Sequence, residues 1–334
     1  MKRSSVTAGG IPGGWVSPFE LADRGSCKVL LGFSGGPDSV AVFDILEKTG
    51  IEFCAVHVNH MIRGEEADRD ARFCEETARR RGAGFLLFRE DVPAEAARLR
   101  RGLEETAREV RYRCFAKAMR ETGAEILVTA HNADDNAETL LFNIARGCSA
   151  KGGTGIPPVR EFPEGSGLIV RPALRIPKAE LLGYCRENGL DYVTDSTNLD
   201  TSYSRNRIRE RVIPELTAVN SGFLSAAGAF CDSVREDCAY LDTEASAFLS
   251  QNPLPPRDAL ASLPPPVAKR VIALAARRAG ASPERRHIER ILSAAAESAD
   301  LSIALPGSVI AVLDGGGLSF RFDPRKKKIR KTEQ

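Results

Sequence analysis

The chain has 334 residues, of which 28% are charged, and 47 Lys and Arg nearly balance 45 Asp and Glu for a net charge of +2. That length exceeds one ordinary core and suits two domains. The near-neutral balance excludes a uniformly basic nucleic-acid binder, so any RNA contact has to come from local patches.

Apolar stretches never reach the length of a spanning helix, so no membrane partner is expected. Met1–Val16 is rich in Gly and Ser and lacks the apolar core of a signal peptide; residues 1–24 read as a flexible tail. The eight cysteines (27, 54, 74, 114, 148, 185, 231, 238) include no C-x-x-C pair. Several sit in apolar patterns, which points to buried free thiols in a reducing cytoplasm.

The first strong element is Lys28 to Val42, KVLLGFSGGPDSVAV. An apolar run ends in Ser34-Gly35-Gly36-Pro37-Asp38-Ser39, and a second apolar run follows. This predicts a buried strand, a sharp loop and a helix that starts at Pro37. Two glycines free the backbone so that successive amides can face one anion, and Ser34 and Ser39 add hydroxyls at the positive end of the helix. The loop is neither G-x-x-x-x-G-K-[ST] nor G-x-G-x-x-G. Asp38 stands where phosphate oxygens would lie, so a bound nucleotide implies Mg²⁺ bridging carboxylate and phosphate. A plain βα turn, with Asp38 complementing the helix dipole, is the other reading.

Phe53–Val58 predicts a second strand ending at Asn59-His60. Ala67, Ala71, Cys74 and Ala78 then mark one face of a helix. Phe85–Phe88 predicts a third strand, Glu104–Arg120 a helix, Ile126–Thr129 a fourth strand, and Ala133–Ala145 a helix stopped by Gly147. Strands alternating with helices imply an α/β fold with a doubly wound parallel sheet. Such sheets bind ligands beyond the carboxyl ends of their strands. That rule gathers Ser34–Ser39, Asn59-His60 and His131–Glu138 on one rim.

On the helix after the fourth strand, Asp134 and Glu138 share a face, with Asp135 and Thr139 further round. Acids in a first turn are also an ordinary helix start; their place on the rim favours a site. Arg108 and Arg111 are i,i+3 neighbours able to clamp phosphate or pyrophosphate, or else to pair with Glu104, Glu105 and Glu109 on a solvated face. Arg146–Ile156, with four glycines and two cations, suits a mobile lid or a plain linker. Asp195–Asn198 leads to Tyr203 and a basic run, Arg205, Arg207, Arg209 and Arg211, that suits RNA phosphate or a charged helix start.

The composition changes after Pro214. Ala-rich helices are expected at Ser221–Leu249, Val267–Ala279 and Ser282–Ala296, the last with Ser282 as N-cap and Pro283 at its first position. A hairpin is expected around Gly315–Gly317, between Val309–Leu313 and Leu318–Phe322. Arg325–Lys331 is a cationic tail. The domains read as 25–216, a smaller mainly helical domain 217–323, and a basic tail 324–334.

S-G-G-P-D-S resembles the PP-loop of the Rossmann-like ATP pyrophosphatases, which cut ATP between the α- and β-phosphates. Five motifs in order (S-G-G-P-D-S, V-N-H-x-x-R-x-x-E-A-D-x-D, A-R-x-x-R-Y, A-H-x-x-D-D-x-x-E-T and D-x-x-N-x-x-x-x-Y-x-R-N-R-I-R) make residues 27–215 similar to the tRNA(Ile)-lysidine synthetases. Asn132 and Asn136 stand where that family usually has His and Gln, and Cys148-Ser149 replaces part of its R-G-S-G loop. A further C-terminal domain of its longer members is not recognised here.

The resemblance implies a cytoplasmic enzyme that uses ATP and Mg²⁺ to join L-lysine to C2 of the wobble cytidine of tRNA(Ile) with a CAU anticodon. It places ATP on Ser34, Gly35, Gly36, Pro37, Asp38 and Ser39, and Mg²⁺ on Asp38. The chemistry would fall to Asp38, Arg111, His131, Asp134, Asp135 and Glu138, and tRNA or lysine to Arg108, Arg205, Asn206, Arg207 and Arg209. Dimers occur in the family, so a homodimer is one state it allows. Two alternatives stay open: another PP-loop enzyme that thiolates or amidates its substrate, and a non-catalytic RNA-binding module that senses ATP.

Overall fold

The computed structural model describes residues 10–25, 27–163, 167–194 and 204–323. Asp195–Asn198, Tyr203 and the 324–334 tail lie outside them. The chain forms two compact units, Met1–Asp232 and Ser233–Gln334.

In chain order the first unit carries α1 (Pro18–Leu21), β1 (Val29–Gly32), α2 (Pro37–Lys48), β2 (Phe53–Asn59), α3 (Glu65–Arg80), β3 (Gly84–Arg89), α4 (Val92–Leu99) and α5 (Leu103–Thr122). Then come β4 (Ile126–Val128), α6 (Ala133–Ala145), β5 (Val159–Glu161), β6 (Leu168–Val170), α7 (Lys178–Glu187), α8 (Ser204–Arg207) and α9 (Ile213–Val219). The sheet order is β3-β2-β1-β4-β6-β5. All neighbours are parallel except β5, which runs antiparallel to β6 at the edge.

Alternation along the strands covers both faces. Val29 and Leu31 of β1, with Ile126 and Val128 of β4, join the core under α2 and α7. Leu30 and Leu127 point the other way, onto Phe115 and Met119 of α5. The apolar face expected of α3 is the buried one, with Ala67, Ala71, Cys74 and Ala78 all at 8% exposure or less. Successive connections leave β1 on one side and β4 on the other, so the topological switch point lies between these two strands, where a ligand crevice belongs.

Two expectations need correction here. Residues 11–22 are not a loose tail: Trp15, Phe19 and Leu21 pack on the core, and Val16 N–H donates to the Pro172 carbonyl at 3.2 Å. The sheet also has two strands that the sequence reading omitted, β5 and β6, each only three residues long.

α10 (Phe223–Gln251) begins in the first unit, where Phe223, Leu224, Ala227 and Cys231 pack on Ala137, Leu140 and Ile213. The second unit continues through α11 (Arg257–Ser262), α12 (Pro265–Arg278), α13 (Arg285–Ala296) and an antiparallel sheet β7-β8-β9 (Leu301–Leu305, Val309–Asp314, Gly317–Phe322). The expected hairpin is β8–β9, closed by Gly315-Gly316 with Asp314 Oδ1 accepting from Gly316 N–H at 2.9 Å. β7 was not expected. α13 starts two residues later than predicted, because Glu284 and His287 form its capping box and leave Ser282 and Pro283 outside.

Candidate functional site

The loop after β1 is fixed by contacts that only one of its two glycines needs. Gly35 has φ +82°, and a Cβ there would meet Cys74 Sγ and Val193 Cγ2 at 3.0 Å. Its carbonyl accepts from Val193 N–H at 2.9 Å. Gly36, expected to share that freedom, is ordinary extended backbone (φ −70°, ψ 162°) as the residue before α2, whose first position is Pro37. The buried Ser39 hydroxyl donates to the Gly36 carbonyl at 2.9 Å and lies 3.1 Å from Ser34 Oγ.

Ser34, Gly36, Asp38 and Ser39 form part of the wall of a cleft of about 930 Å³, together with Asn59, His60, Arg108, Arg111, His131, Asp135, Glu138, Arg205, Asn206 and Arg209. The three rim segments expected from the sheet rule therefore meet. Of the residues assigned to the site, Gly35, Pro37, Asp134 and Arg207 are not in its wall.

One side of the cleft is acidic. Asp38 Oδ1 is buried without a hydrogen-bond partner. Burial pushes the carboxyl up to about 6; Lys178 and the Asn132 side chain oppose the shift, and Asp135 and Asp134 add to it. Asn132 and Asp135 cap α6 reciprocally, with Asp135 N–H to Asn132 Oδ1 at 3.0 Å and Asn132 N–H to Asp135 Oδ2 at 3.2 Å. Arg209 bridges the acids, reaching Asp135 Oδ1 at 3.1 Å and Glu138 Oε2 at 2.7 Å. Burial still holds both carboxyls above their usual range, with Arg209 pulling the other way. Asp134 turns aside: its Oδ2 accepts from Lys178 N–H at 2.8 Å and so ties α6 to the start of α7.

The other side is cationic. Arg108 lies over the Tyr112 ring at 5.3 Å, and Arg160 lies over the same ring at 5.1 Å. Arg111 Nε donates to His60 Nε2 at 3.4 Å. Much of its side chain is open to the cleft, yet desolvation by surrounding protein pulls the guanidinium's pKa down. Neither Arg108 nor Arg111 takes the helix-face acids: Glu109 pairs with Arg101 at 2.8 Å and Glu104 with Arg205 at 3.3 Å. Burial, then the charges of Arg171, Arg111, Arg108 and Arg160, pull His131 down to about 3. It is an uncharged imidazole whose Nδ1 lies 3.0 Å from Thr129 Oγ1. His60 is likewise uncharged, held near 4 by burial and Arg111.

The basic run divides. Arg209 and Arg205 turn to the cleft acids, Arg205 also lying over Phe142 at 5.1 Å, while Arg207 and Arg211 stay exposed. The expected lid is pinned down: Asn143 Nδ2 donates to the Gly152 carbonyl at 2.9 Å, and Asn136 Oδ1 accepts from Ile156 N–H at 2.7 Å. Sequence reasoning missed Lys178, Arg160 and Arg171; Arg160 lies on β5 and Arg171 directly after β6, strands too short to be predicted.

Mg²⁺ fits this donor set. Asp38 supplies a buried carboxylate oxygen that nothing else satisfies, with Asp135 near enough to raise its pKa. Among the described residues no three His, Cys, Asp or Glu side chains form a ready cage. One or two carboxylates completed by phosphate oxygens is how Mg²⁺ is commonly held.

A parallel sheet with an anion loop after β1 and paired carboxylates after β4, across its switch point, defines a nucleotide-binding α/β protein. The chain belongs to the PP-loop domain family, whose model matches residues 18–216. A model of the TilS substrate binding domain matches residues 256–315. The tRNA(Ile)-lysidine synthase of Caldanaerobacter subterraneus is 39% identical over 58% of this chain and 41% of its own length. The Bifunctional protein TilS/HprT of Listeria monocytogenes is 37% identical over 69% of this chain and 36% of its own. The tRNA(Ile)-lysidine synthase of Bacillus licheniformis is 36% identical over 68% and 48%. The chain thus spans half or less of these relatives' length. Among solved structures, the U34-tRNA thiolase NcsA of Methanococcus maripaludis shares the fold at TM-score 0.51 and 19% identity, over 66% of this chain and 76% of that one.

Proposed function

We propose that the chain makes lysidine: it adenylates O2 of the wobble cytidine of a tRNA(Ile) with a CAU anticodon, releasing pyrophosphate, and free L-lysine then attacks C2 and displaces AMP. The observation that carries this is a single cleft with an acidic wall and a cationic wall flanking the PP-loop. Relatives named for the reaction, and the match over residues 256–315, support the choice of substrate.

Each wall answers one step. Ser34, Gly36 and Ser39 would cradle phosphate, and Arg108 and Arg111 would offset the charge gathered on departing pyrophosphate. Mg²⁺ held by Asp38 would supply Lewis-acid polarisation of the α-phosphate. Asp135 and Glu138 offer negative charge to a cationic amino acid. The attacking amine must shed a proton, because an ordinary lysine amine titrates near 10.4. Glu138 on the acidic side and the uncharged His131 on the cationic side are two acceptors lining the same cleft.

The test combines purified protein, ATP–Mg²⁺, labelled lysine and a CAU-anticodon tRNA transcript. Label in the tRNA that depends on ATP is the expected result. Pyrophosphate release without label would overturn the lysidine reading while keeping PP-loop chemistry. No pyrophosphate release at all would leave a nucleotide-sensing RNA-binding module.

A further inference from the structure

Behind the cationic wall lies a group that the proposed reaction does not use. Arg171 follows β6 and is 4% exposed; its Nη1 donates to the Pro157 carbonyl at 2.6 Å, and its Nε is buried without a partner. Arg160 on β5 also has a buried, unpartnered Nε, and it stacks on the face of Tyr112. Tyr112 packs edge-on to Phe115 and to Phe162 at about 6 Å, which fixes the plane of its ring. That ring also receives Arg108. Among the described residues, none of Arg108, Arg111, Arg160 and Arg171 has a carboxylate ion pair. Four guanidiniums gathered round one tyrosine and one histidine repel one another; Glu104, the acid nearest Arg111, is paired with Arg205, and Arg171 is buried, where an unpaired charge is costly. Such a cluster calls for an anion from outside.

We propose that Tyr112, Arg160 and Arg171 are positioning residues: a second layer that presents Arg108 and Arg111, uncompensated, to the pyrophosphate portion of the substrate, and keeps His131 an uncharged hydrogen-bonding group beside it. This rests on the cleft holding a polyphosphate, and gives the role to Arg160 and Arg171, which are not in the cleft wall, acting through Tyr112, whose ring is. The groups facing His131 come from each neighbouring element: Arg108 and Arg111 on α5, Arg160 on β5, and Arg171 after β6. The acids of its own segment, Asp135 and Glu138, are taken by Arg209. An imidazolium here would add a fifth positive charge, so His131 gains a proton easily only once an anion has arrived.

The chain has four histidines, 57, 60, 131 and 287, so histidine-labelled full-length protein gives four ring signals by NMR. The test compares the wild type with Arg171→Met and Arg171→Lys, and follows inorganic pyrophosphate binding by calorimetry. Arg171→Met should raise the proton affinity of His131 at least about tenfold and weaken pyrophosphate about tenfold, while Arg171→Lys restores both. Saturating pyrophosphate should raise the His131 midpoint in the wild type. A His131 titration and a pyrophosphate affinity both unmoved in a folded Arg171→Met, with the other three signals in place, would overturn the proposal. If Arg171→Met does not fold, Arg160→Met, at a less buried site, carries the same expectations and the same refutation. Wild-type protein that binds no pyrophosphate would count against the polyphosphate reading of the cleft, whereas the effect of Arg171 on His131 is decided by the variants alone.

Discussion

Asp38→Asn should make the protein more stable and, on the proposed reaction, inactive. The Asp38 carboxyl titrates at about 6 in the folded chain against 3.8 for an ordinary aspartate. That difference corresponds to roughly 3 kcal/mol. The sign follows from proton counts. Below pH 3.8 the group is protonated in both states and costs nothing. Between 3.8 and 6 the folded state holds the proton more tightly, so stability falls as pH rises; above 6 the deficit is constant. An asparagine has no such dependence. The advantage of the variant should therefore be absent below pH 4, grow to pH 6, and then stay level. The only tryptophan, Trp15, packs on the core of the first unit, so its fluorescence during urea unfolding reads that unit alone. At pH 7.5 the melting temperature of the first unit should rise by roughly 5–10 °C. Pyrophosphate release should be lost, because an amide is a poor ligand for Mg²⁺. A variant as active as the wild type, or one no more stable at pH 7.5, would refute the reasoning and make Asp38 a helix-dipole partner.

Other substitutions test the remaining parts. Gly35→Ala forces a side chain into φ +82° with its Cβ 3.0 Å from Cys74 Sγ; it should cost about 2–3 kcal/mol in urea unfolding and abolish ATP binding. Arg209→Met strands Asp135 and Glu138, and should cost about 2 kcal/mol at pH 8, since the site is partly open to solvent. Without the guanidinium both carboxyls titrate higher still, so the loss should grow as pH rises; equal losses at pH 5 and 8 would argue against an electrostatic role. Asn136→Ala leaves Ile156 N–H without its acceptor. About 1–2 kcal/mol of destabilisation and faster proteolysis within 147–156 are expected.

How much of this was legible depended on the length of each signal. The strand, loop and helix around Ser34–Ser39 stood out because apolar runs bracket two glycines and a proline, and α3 because four small residues repeat on one face. β5 and β6 did not, since three residues give no periodicity; with them went Arg160 and Arg171. The glycine count of the 146–156 loop suggested mobility, but Asn136 and Asn143 on the neighbouring helix hold it, and such long-range bonds leave no local trace. Asp134 and Asp135 are adjacent and look equivalent. Only the fold shows that Asp134 turns aside to Lys178 N–H while Asp135 both caps α6 and faces the cleft. Trp15 lay in a segment whose composition looked loose, and it binds that segment to the core together with Phe19 and Leu21.

The two walls of the cleft also bear on why one site would serve both steps of the proposed reaction. Losing pyrophosphate calls for cations, whereas drawing in lysine and taking its proton calls for acids. A cleft of one sign would favour one step and oppose the other. The sheet topology separates the two: the acids stand on α2 and α6, the guanidiniums of the wall on α5 with Arg160 and Arg171 of the β5–β6 edge behind them, and β1 and β4 carry the PP-loop and His131. Each wall is also kept charged by different means. Arg209 and Lys178 lower the cost of ionising the buried acids, whereas among the described residues the four arginines have no carboxylate ion pair, and on the proposal above an incoming polyphosphate would supply their counter-charge. On this reasoning the order of events is built into the site. Polyphosphate would bind first, between the arginines and the Mg²⁺ that Asp38 would hold, and Asp135 and Glu138 would come into use only after pyrophosphate has left and the amine has arrived.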